Sequence, residues 1–255
     1  MFQDEFAAAG KAAEGKLRLL KNNPWGYFLL SMLAGAFIGF GVLLTNSLAA
    51  QLQGAPATKL VQGLAFGVAL SLVVIAGAEL FTGNNLVMTA GLLQKKVRIG
   101  QTLWLWLVCW IGNLCGSALL AVVFFLTGLP KGSVGEVMAA AAMAKVSAGP
   151  VELLARGALC NMLVCLAVWC GFRAKSDAGK LIMIFWCLFA FITTGFEHSV
   201  ANMTLLTEAL LNPAGQDIGL GACLYQLAVV TLGNMLGGIL LVALPYGRAA
   251  RTNKS

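Results

Sequence analysis

Glu79 and Glu197 each stand in the middle of a long apolar run, and each belongs to the same short pattern. Gly77-Ala78-Glu79-Leu80-Phe81-Thr82-Gly83-Asn84 and Gly195-Phe196-Glu197-His198-Ser199-Val200-Ala201-Asn202 both read G-x-E-x-x-x-x-N. A carboxylate in hydrocarbon is costly, so its presence there marks a functional or architectural role. Glycine and polar residues at membrane depth are tolerated where unwound backbone is buried in protein or lines a cavity. Two copies in matching places predict paired broken helices, a way to build a substrate pathway at the bilayer midplane. The half-helix N-termini at such breaks offer unpaired N–H groups and positive dipole ends, which suit an anion without placing a full charge in lipid. Thr82 adds a hydroxyl to the first break. His198, the chain's single histidine, adds to the second an imidazole whose ordinary pKa lies near 6.5.

The elements that must position these groups are membrane spans. The chain has 255 residues, of which 59% are hydrophobic and 11% charged. Soluble domains carry roughly 25% charged residues, so the composition predicts a polytopic membrane protein with one domain. Apolar segments cover 26–50, 60–93, 102–128, 151–172, 181–211 and 218–246. A crossing takes about 20 helical residues. The segments 60–93 and 181–211 exceed that length, and each holds one G-x-E-x-x-x-x-N element. They read as helix–break–helix.

The repeat extends beyond the breaks. Gly112-Asn113-Leu114-Cys115-Gly116 pairs with Gly233-Asn234-Met235-Leu236-Gly237, and Gly35-Ala36-Phe37 with Gly157-Ala158-Leu159. Each half then holds three spans. An odd number turns the second half upside down relative to the first. The expected fold is an all-α membrane protein with six transmembrane helices as an inverted 3+3 repeat. The expected divisions of the single domain 1–255 are an amphipathic helix over 1–22, halves at 26–128 and 151–246, and a tail over 247–255. The helix carries Phe2, Phe6, Ala9, Ala13, Leu17 and Leu20 at helical spacing and is expected to lie on the membrane face.

Charge sets the orientation. Basic residues gather at Lys11/Lys16/Arg18/Lys21, Lys95/Lys96/Arg98, Arg173/Lys175/Lys180 and Arg248/Arg251/Lys254. The alternate connections hold only Lys59, Lys131, Lys145 and Arg156 among their cations. The positive-inside rule puts both termini in the cytoplasm. Basic charge divided among short loops argues against nucleic-acid binding. Trp25, Trp104, Trp106 and Tyr246 sit near the predicted cytoplasmic ends, as an interfacial belt does. The seven cysteines mostly lie in apolar runs and form no C-x-x-C, so no metal site, cofactor or enzyme activity is expected.

Leu80-Phe81-Thr82-Gly83, the run Gly195 to Met203, and the run Gly157 to Ala167 resemble the formate/nitrite transporter family. The resemblance covers nearly the whole chain. It implies an aquaporin-like fold, a homopentamer with one pore per protomer, and residence in a bacterial inner membrane. The short connection at about 212–217 resembles the nitrite channels more than the formate channels. Nitrite is the expected substrate, with formate or hydrosulfide as alternatives and protons as a possible companion. A neutral-solute channel for water or glycerol is the competing class. Against it, Asn-Pro-Ala occurs once, at Asn212-Pro213-Ala214, in a predicted loop.

The resemblance also implies roles. Lys145 matches the vestibule lysine and His198 the pore histidine. Phe66 and Phe191 form the outer constriction, with Asn161 and Val164 nearby, and Leu70 and Leu80 the inner one, next to Phe81. Such apolar rings gate by dewetting. An ionised carboxylate in the pore would repel an anion, so Glu79 and Glu197 are expected to point away from it. They would accept hydrogen bonds from orphan N–H groups at the breaks or from the opposite half. Asn84, Asn113, Asn202 and Asn234 are expected to tie down the unwound backbone, with Asn202 also touching the anion.

Overall fold

The computed structural model describes residues 2–52 and 54–250. Of the predicted tail, 251–255 lie outside the described residues. Among the described residues all regular structure is helical, with no strand. The helices are α1 (Gln3–Asn22), α2 (Pro24–Leu52), α3 (Thr58–Leu72), α4 (Phe81–Leu93), α5 (Ile99–Leu126) and α6 (Ser133–Val146). There follow α7 (Pro150–Arg173), α8 (Asp177–Thr194), α9 (Ser199–Leu211), α10 (Leu220–Leu236) and α11 (Leu244–Ala249). A π-helical turn extends α3 over Val73–Gly77, and a second over Gly237–Ala243 joins α10 to α11.

Six helical stretches are long and apolar enough to cross a membrane. They are Pro24–Leu52, Thr58–Gly77, Ile99–Leu126, Pro150–Arg173, Asp177–Thr194 and Leu220–Ala249. The protein is a multi-pass membrane protein. α4 and α9 have 13 residues each. At 1.5 Å per residue they are about 20 Å long, too short to cross a ~30 Å hydrocarbon core.

Local sequence sets several boundaries. Pro150 opens α7 at a position where its missing N–H costs nothing. Ser176 caps α8, its hydroxyl accepting from Gly179 N–H at 3.1 Å. The chain turns out of α8 at Gly195 (φ 79°) and out of the π-turn at Gly77 (φ 84°). Both are left-handed positions where only glycine escapes a Cβ clash.

Small residues let the long helices touch. A Cβ on Gly116 of α5 would strike the Met32 carbonyl of α2, and one on Gly237 would strike the Ala158 carbonyl of α7. Met32 thus stands against Gly116 as Ala158 stands against Gly237, where the expected match paired Gly35-Ala36-Phe37 with Gly157-Ala158-Leu159.

The first helix departs from expectation. Its apolar residues Phe6, Ala9, Ala13 and Leu20 are buried in the protein. Ala13 packs at Gly91 of α4, while Phe2 lies against Trp169 and Tyr246, with ring centroids 6.3 and 5.5 Å away. The stripe is built of small residues that admit a neighbouring helix, so α1 turns it toward α4 and not toward lipid. Trp106 also leaves the expected belt: it is buried, and its indole N–H donates to the Asn84 carbonyl at 3.1 Å. Trp25 and Trp104 remain exposed.

Gly116→Ala is expected to destabilise the protein by about 2 kcal/mol or more, because backbone and not a movable side chain opposes the new methyl. Gly100→Ala, with open space around it, is expected to change stability by less than about 1 kcal/mol. Thermal melts of the detergent-solubilised variants compare the two.

Candidate functional site

The two G-x-E-x-x-x-x-N elements adopt one hydrogen-bonding pattern. After Gly77, residues Ala78 to Leu80 run outside helix before α4 begins. After Gly195, residues Phe196 to His198 do the same before α9 begins. The first N–H of α4, on Phe81, donates to Asn113 Oδ1 at 2.9 Å. The first N–H of α9, on Ser199, donates to Asn234 Oδ1 at 2.9 Å. Asn113 Nδ2 donates to the carbonyls of Ser31 (2.7 Å) and Glu79 (2.9 Å). Asn234 Nδ2 donates to the carbonyls of Gly157 (2.8 Å) and Glu197 (2.9 Å). The glutamate N–H groups complete each set, Glu79 donating to Leu30 O and Glu197 to Arg156 O. Backbone polar groups freed inside an apolar environment need such partners.

The carboxylates have side-chain donors, where backbone N–H groups or the opposite half were expected. Glu79 accepts two bonds from Lys16 of α1, at 2.7 and 2.8 Å, and one from Asn84 at 3.0 Å. Glu197 accepts two from Lys145 of α6, both at 2.7 Å. Asn202 (2.7 Å) and Gln226 (3.3 Å) add two more. The physical reason is charge: a buried carboxylate needs a cation as well as hydrogen bonds. Of the four asparagines expected to tie down the unwound backbone, Asn113 and Asn234 do so, while the Asn84 and Asn202 amides hold the carboxylates instead.

The two interruptions meet at Thr82 and His198. Thr82 Oγ1 lies 3.0 Å from His198 Nε2, and both residues are buried. His198 Nδ1 accepts the Ala201 N–H at 3.1 Å, capping α9. With Nδ1 accepting, the proton of a neutral ring sits on Nε2, facing Thr82. Asn161 Nδ2 clasps the same place, donating to Thr82 O (3.3 Å), Asn85 Oδ1 (2.9 Å) and Asn234 O (2.7 Å).

His198 borders two spaces of opposite character. On one side lies a cavity of about 390 Å³ whose wall includes Lys59, Lys145, Arg156, Glu197 and Asn202. On the other lies a void of about 10 Å³ walled by Phe66, Leu70, Leu80, Val164, Phe191 and two further apolar residues. That is about the space one water needs. The Phe66 and Phe191 rings meet edge to face, 5.5 Å between centroids and 80° between planes. The residues expected in the outer and inner constrictions thus enclose one void. Phe81 is buried as the first residue of α4. Glu197, expected to point away from the pathway, is part of the larger cavity's wall, with its charge met by Lys145.

The model of the family described as "Formate/nitrite transporter" matches residues 3–247. Nitrite transporter NirC of Escherichia coli (strain K12) is 39% identical over 250 residues, covering 96% of this chain and 91% of that protein. A solved FNT family ion channel superposes with a TM-score of 0.92 at 38% identity, covering 97% of this chain and 99% of the other. A solved pentameric formate channel with formate bound gives 0.78 at 31% identity, covering 89% and 97%. The chain belongs to the formate/nitrite transporter family. It is a transporter, not an enzyme.

Sequence reasoning missed part of this transporter's cavity. Lys59 and Arg156 share its wall with Lys145, as do Asn46 and Gln62. The signal was present: these three lysine and arginine residues are most of the cations on the two sparsely charged connections. What sequence lacked was the fold that brings 59, 145 and 156 together.

Asn234→Leu would orphan one N–H (Ser199) and one carbonyl (Glu197) at the second interruption and remove a tie to the helical Gly157 carbonyl. A loss of about 2 kcal/mol or more is expected at ~1–3 kcal/mol per buried unpaired group. Guanidinium-free thermal denaturation in detergent measures it. Asn161 still reaches the position 234 backbone carbonyl in that variant, so the loss reports the amide alone.

Proposed function

We propose that this protein forms a pore for small monovalent anions, with nitrite as its substrate, in a bacterial inner membrane. The observation that carries this reading is His198: bonded to Thr82, it divides a cationic cavity from a dry constriction. Lys59, Lys145 and Arg156 collect the anion, since like charges lining a cleft raise the local concentration of the opposite charge. The anion sheds water at Phe66 and Phe191. The Thr82 hydroxyl and the His198 Nε2–H then replace part of its hydration, and the N-termini of α4 and α9 favour its charge. A second proton taken up from the cavity side charges the His198 ring; one proton then passes to the anion in the dry segment and the ring is left neutral.

The matching hydrogen bonds at Asn113 and Asn234 support an inverted 3+3 repeat, with halves at 26–128 and 151–246 and two broken helices, as in aquaporin-like folds. The distribution of lysine and arginine supports cytoplasmic termini and an outward-facing cavity at Lys145. Similarity to the pentameric formate channel supports a homopentamer, and favours formate as the second substrate.

Reconstituted protein should carry nitrite, with formate second and glycerol excluded; glycerol flux without anion flux would sink the proposal. Acidifying the cavity side is expected to raise nitrite entry, because His198 must take up a proton from that side before it can pass one to the anion. His198→Asn keeps a donor but no transferable proton, so its flux is lower and flat with pH; an unchanged pH profile refutes the proton role. Lys59→Gln with Arg156→Gln is expected to cut the initial rate by about threefold to tenfold at low salt. The deficit shrinks near 0.1 M salt, where the screening length is about 10 Å.

A further inference from the structure

A second cavity, of about 470 Å³, lies far in sequence from the transport residues. It opens between the last turn of α1 and the first turn of α5. Its wall is made by Leu17, Arg18, Leu20, Lys21, Gln101 and Trp104, together with Asn22. Arg18 and Lys21 are three residues apart, so they project from one side of the helix. Both are exposed, and neither has an ion pair or hydrogen bond among the described residues. By contrast Lys16, one turn away on another face, is bonded to Glu79. Two cations without carboxylate partners are thus held over an apolar hollow.

What continues from the hollow is apolar too. Trp104 is 59% exposed. Along α5, Leu107 and Ile111 follow Trp104 at i+3 and i+7 and are exposed, making one strip that runs from the cavity wall toward the middle of the helix. Gln101 completes the rim: its Oε1 accepts the Arg98 N–H at 3.0 Å, which leaves its amide N–H groups available. Cations, an amide donor and an indole at one level, with a hydrocarbon strip leading away, match the parts of a phospholipid in order. A free phosphate would use the cations and leave the strip unexplained.

We propose that this cavity binds an anionic phospholipid of the cytoplasmic leaflet. Arg18 and Lys21 contact the phosphate diester, Trp104 lies at the glycerol level, and one acyl chain follows the α5 strip. The proposal rests on the cytoplasmic placement of α1 argued above. Basic pockets at the cytoplasmic membrane face recognise lipid headgroups in this way.

The test uses the full chain in detergent, titrated with phosphatidylglycerol, phosphatidylcholine or inorganic phosphate, with bound lipid counted by native mass spectrometry. Phosphatidylglycerol is expected to bind at least about tenfold more tightly than phosphatidylcholine. The pair Arg18→Gln and Lys21→Gln should weaken it by about tenfold, while Lys11→Gln with Lys175→Gln, an equal change of charge elsewhere, should not. Equal binding of the two lipids, or equal loss in the control pair, overturns the proposal. Displacement by millimolar phosphate would make it a soluble-anion site and overturns it as well. Dissociation of the oligomer in the Arg18/Lys21 variant before any lipid is added would identify the hollow as a contact with a second copy. Nitrite flux by the same preparations is read separately: wild-type protein that binds the lipid but carries no anion refutes the transport reading alone. Proteolysis of α1 from the outer side of oriented vesicles refutes the placement alone.

Discussion

Backbone N–H and C=O groups inside an apolar environment must be paired, and the rest of this structure depends on how that demand is met where the helix stops. At each interruption the chain releases a first-turn N–H and the carbonyls around it. One asparagine amide answers two of these groups and ties them to a carbonyl of a neighbouring span, because Oδ1 accepts while Nδ2 donates twice. Asn113 does so between α2, the first interruption and α4; Asn234 does so between α7, the second interruption and α9. No hydrophobic side chain can substitute, and a carboxylate cannot donate. The glycines one turn on, Gly116 and Gly237, bring the asparagine-bearing helices close enough to their partners for the amides to reach.

Charge is handled by a separate device. Each glutamate is neutralised by a lysine from a helix outside the long spans, Lys16 from α1 and Lys145 from α6. A buried ion pair is weak evidence of stabilisation, since desolvation offsets much of the Coulomb gain. Its clearer consequence is geometric. The pair docks a peripheral helix onto the interruption, and Asn84 or Asn202 holds the carboxylate from the other side. The cation that balances Glu197 is thereby fixed in the wall of the larger cavity.

Much of this was legible in the sequence, for identifiable reasons. Helix existence and span length follow from hydropathy. The interruptions follow from Gly, Glu and Asn recurring together in one pattern inside two overlong apolar runs. The pairing of Gly112–Gly116 with Gly233–Gly237 follows from spacing alone. The register of the first span did not: Gly35 resembles Gly157 as a residue type, but the carbonyl that asparagine needs belongs to Ser31, and a carbonyl is carried by every residue. The lysine partners were hidden for a related reason. Nothing in the string distinguishes Lys16 from Lys11, or ties Lys145 to Glu197 across 52 positions; only the docked helices do. The stripe on α1 fits protein or lipid equally well by periodicity, and the small size of Ala9, Gly10 and Ala13 is the one clue that favours a helix neighbour.

The two halves share their bonding and differ in what covers them. The Glu197 unit opens on a cavity of about 390 Å³ containing three basic side chains. The Glu79 unit lies beneath α1, which is longer than α6, at 20 residues against 14, and packs along α4. A repeat that was symmetric in its coverings would offer an anion the same approach from either side. Here the interruptions are bonded alike, and the difference lies in the helices that cover them, α1 and α6. His198 deepens it, because the matching position in the first half is Leu80. The first interruption thus supplies an apolar side chain and the Thr82 hydroxyl where the second supplies an imidazole. The larger cavity and the small apolar void both border His198, and the asparagine-centred bonding is the same at both interruptions.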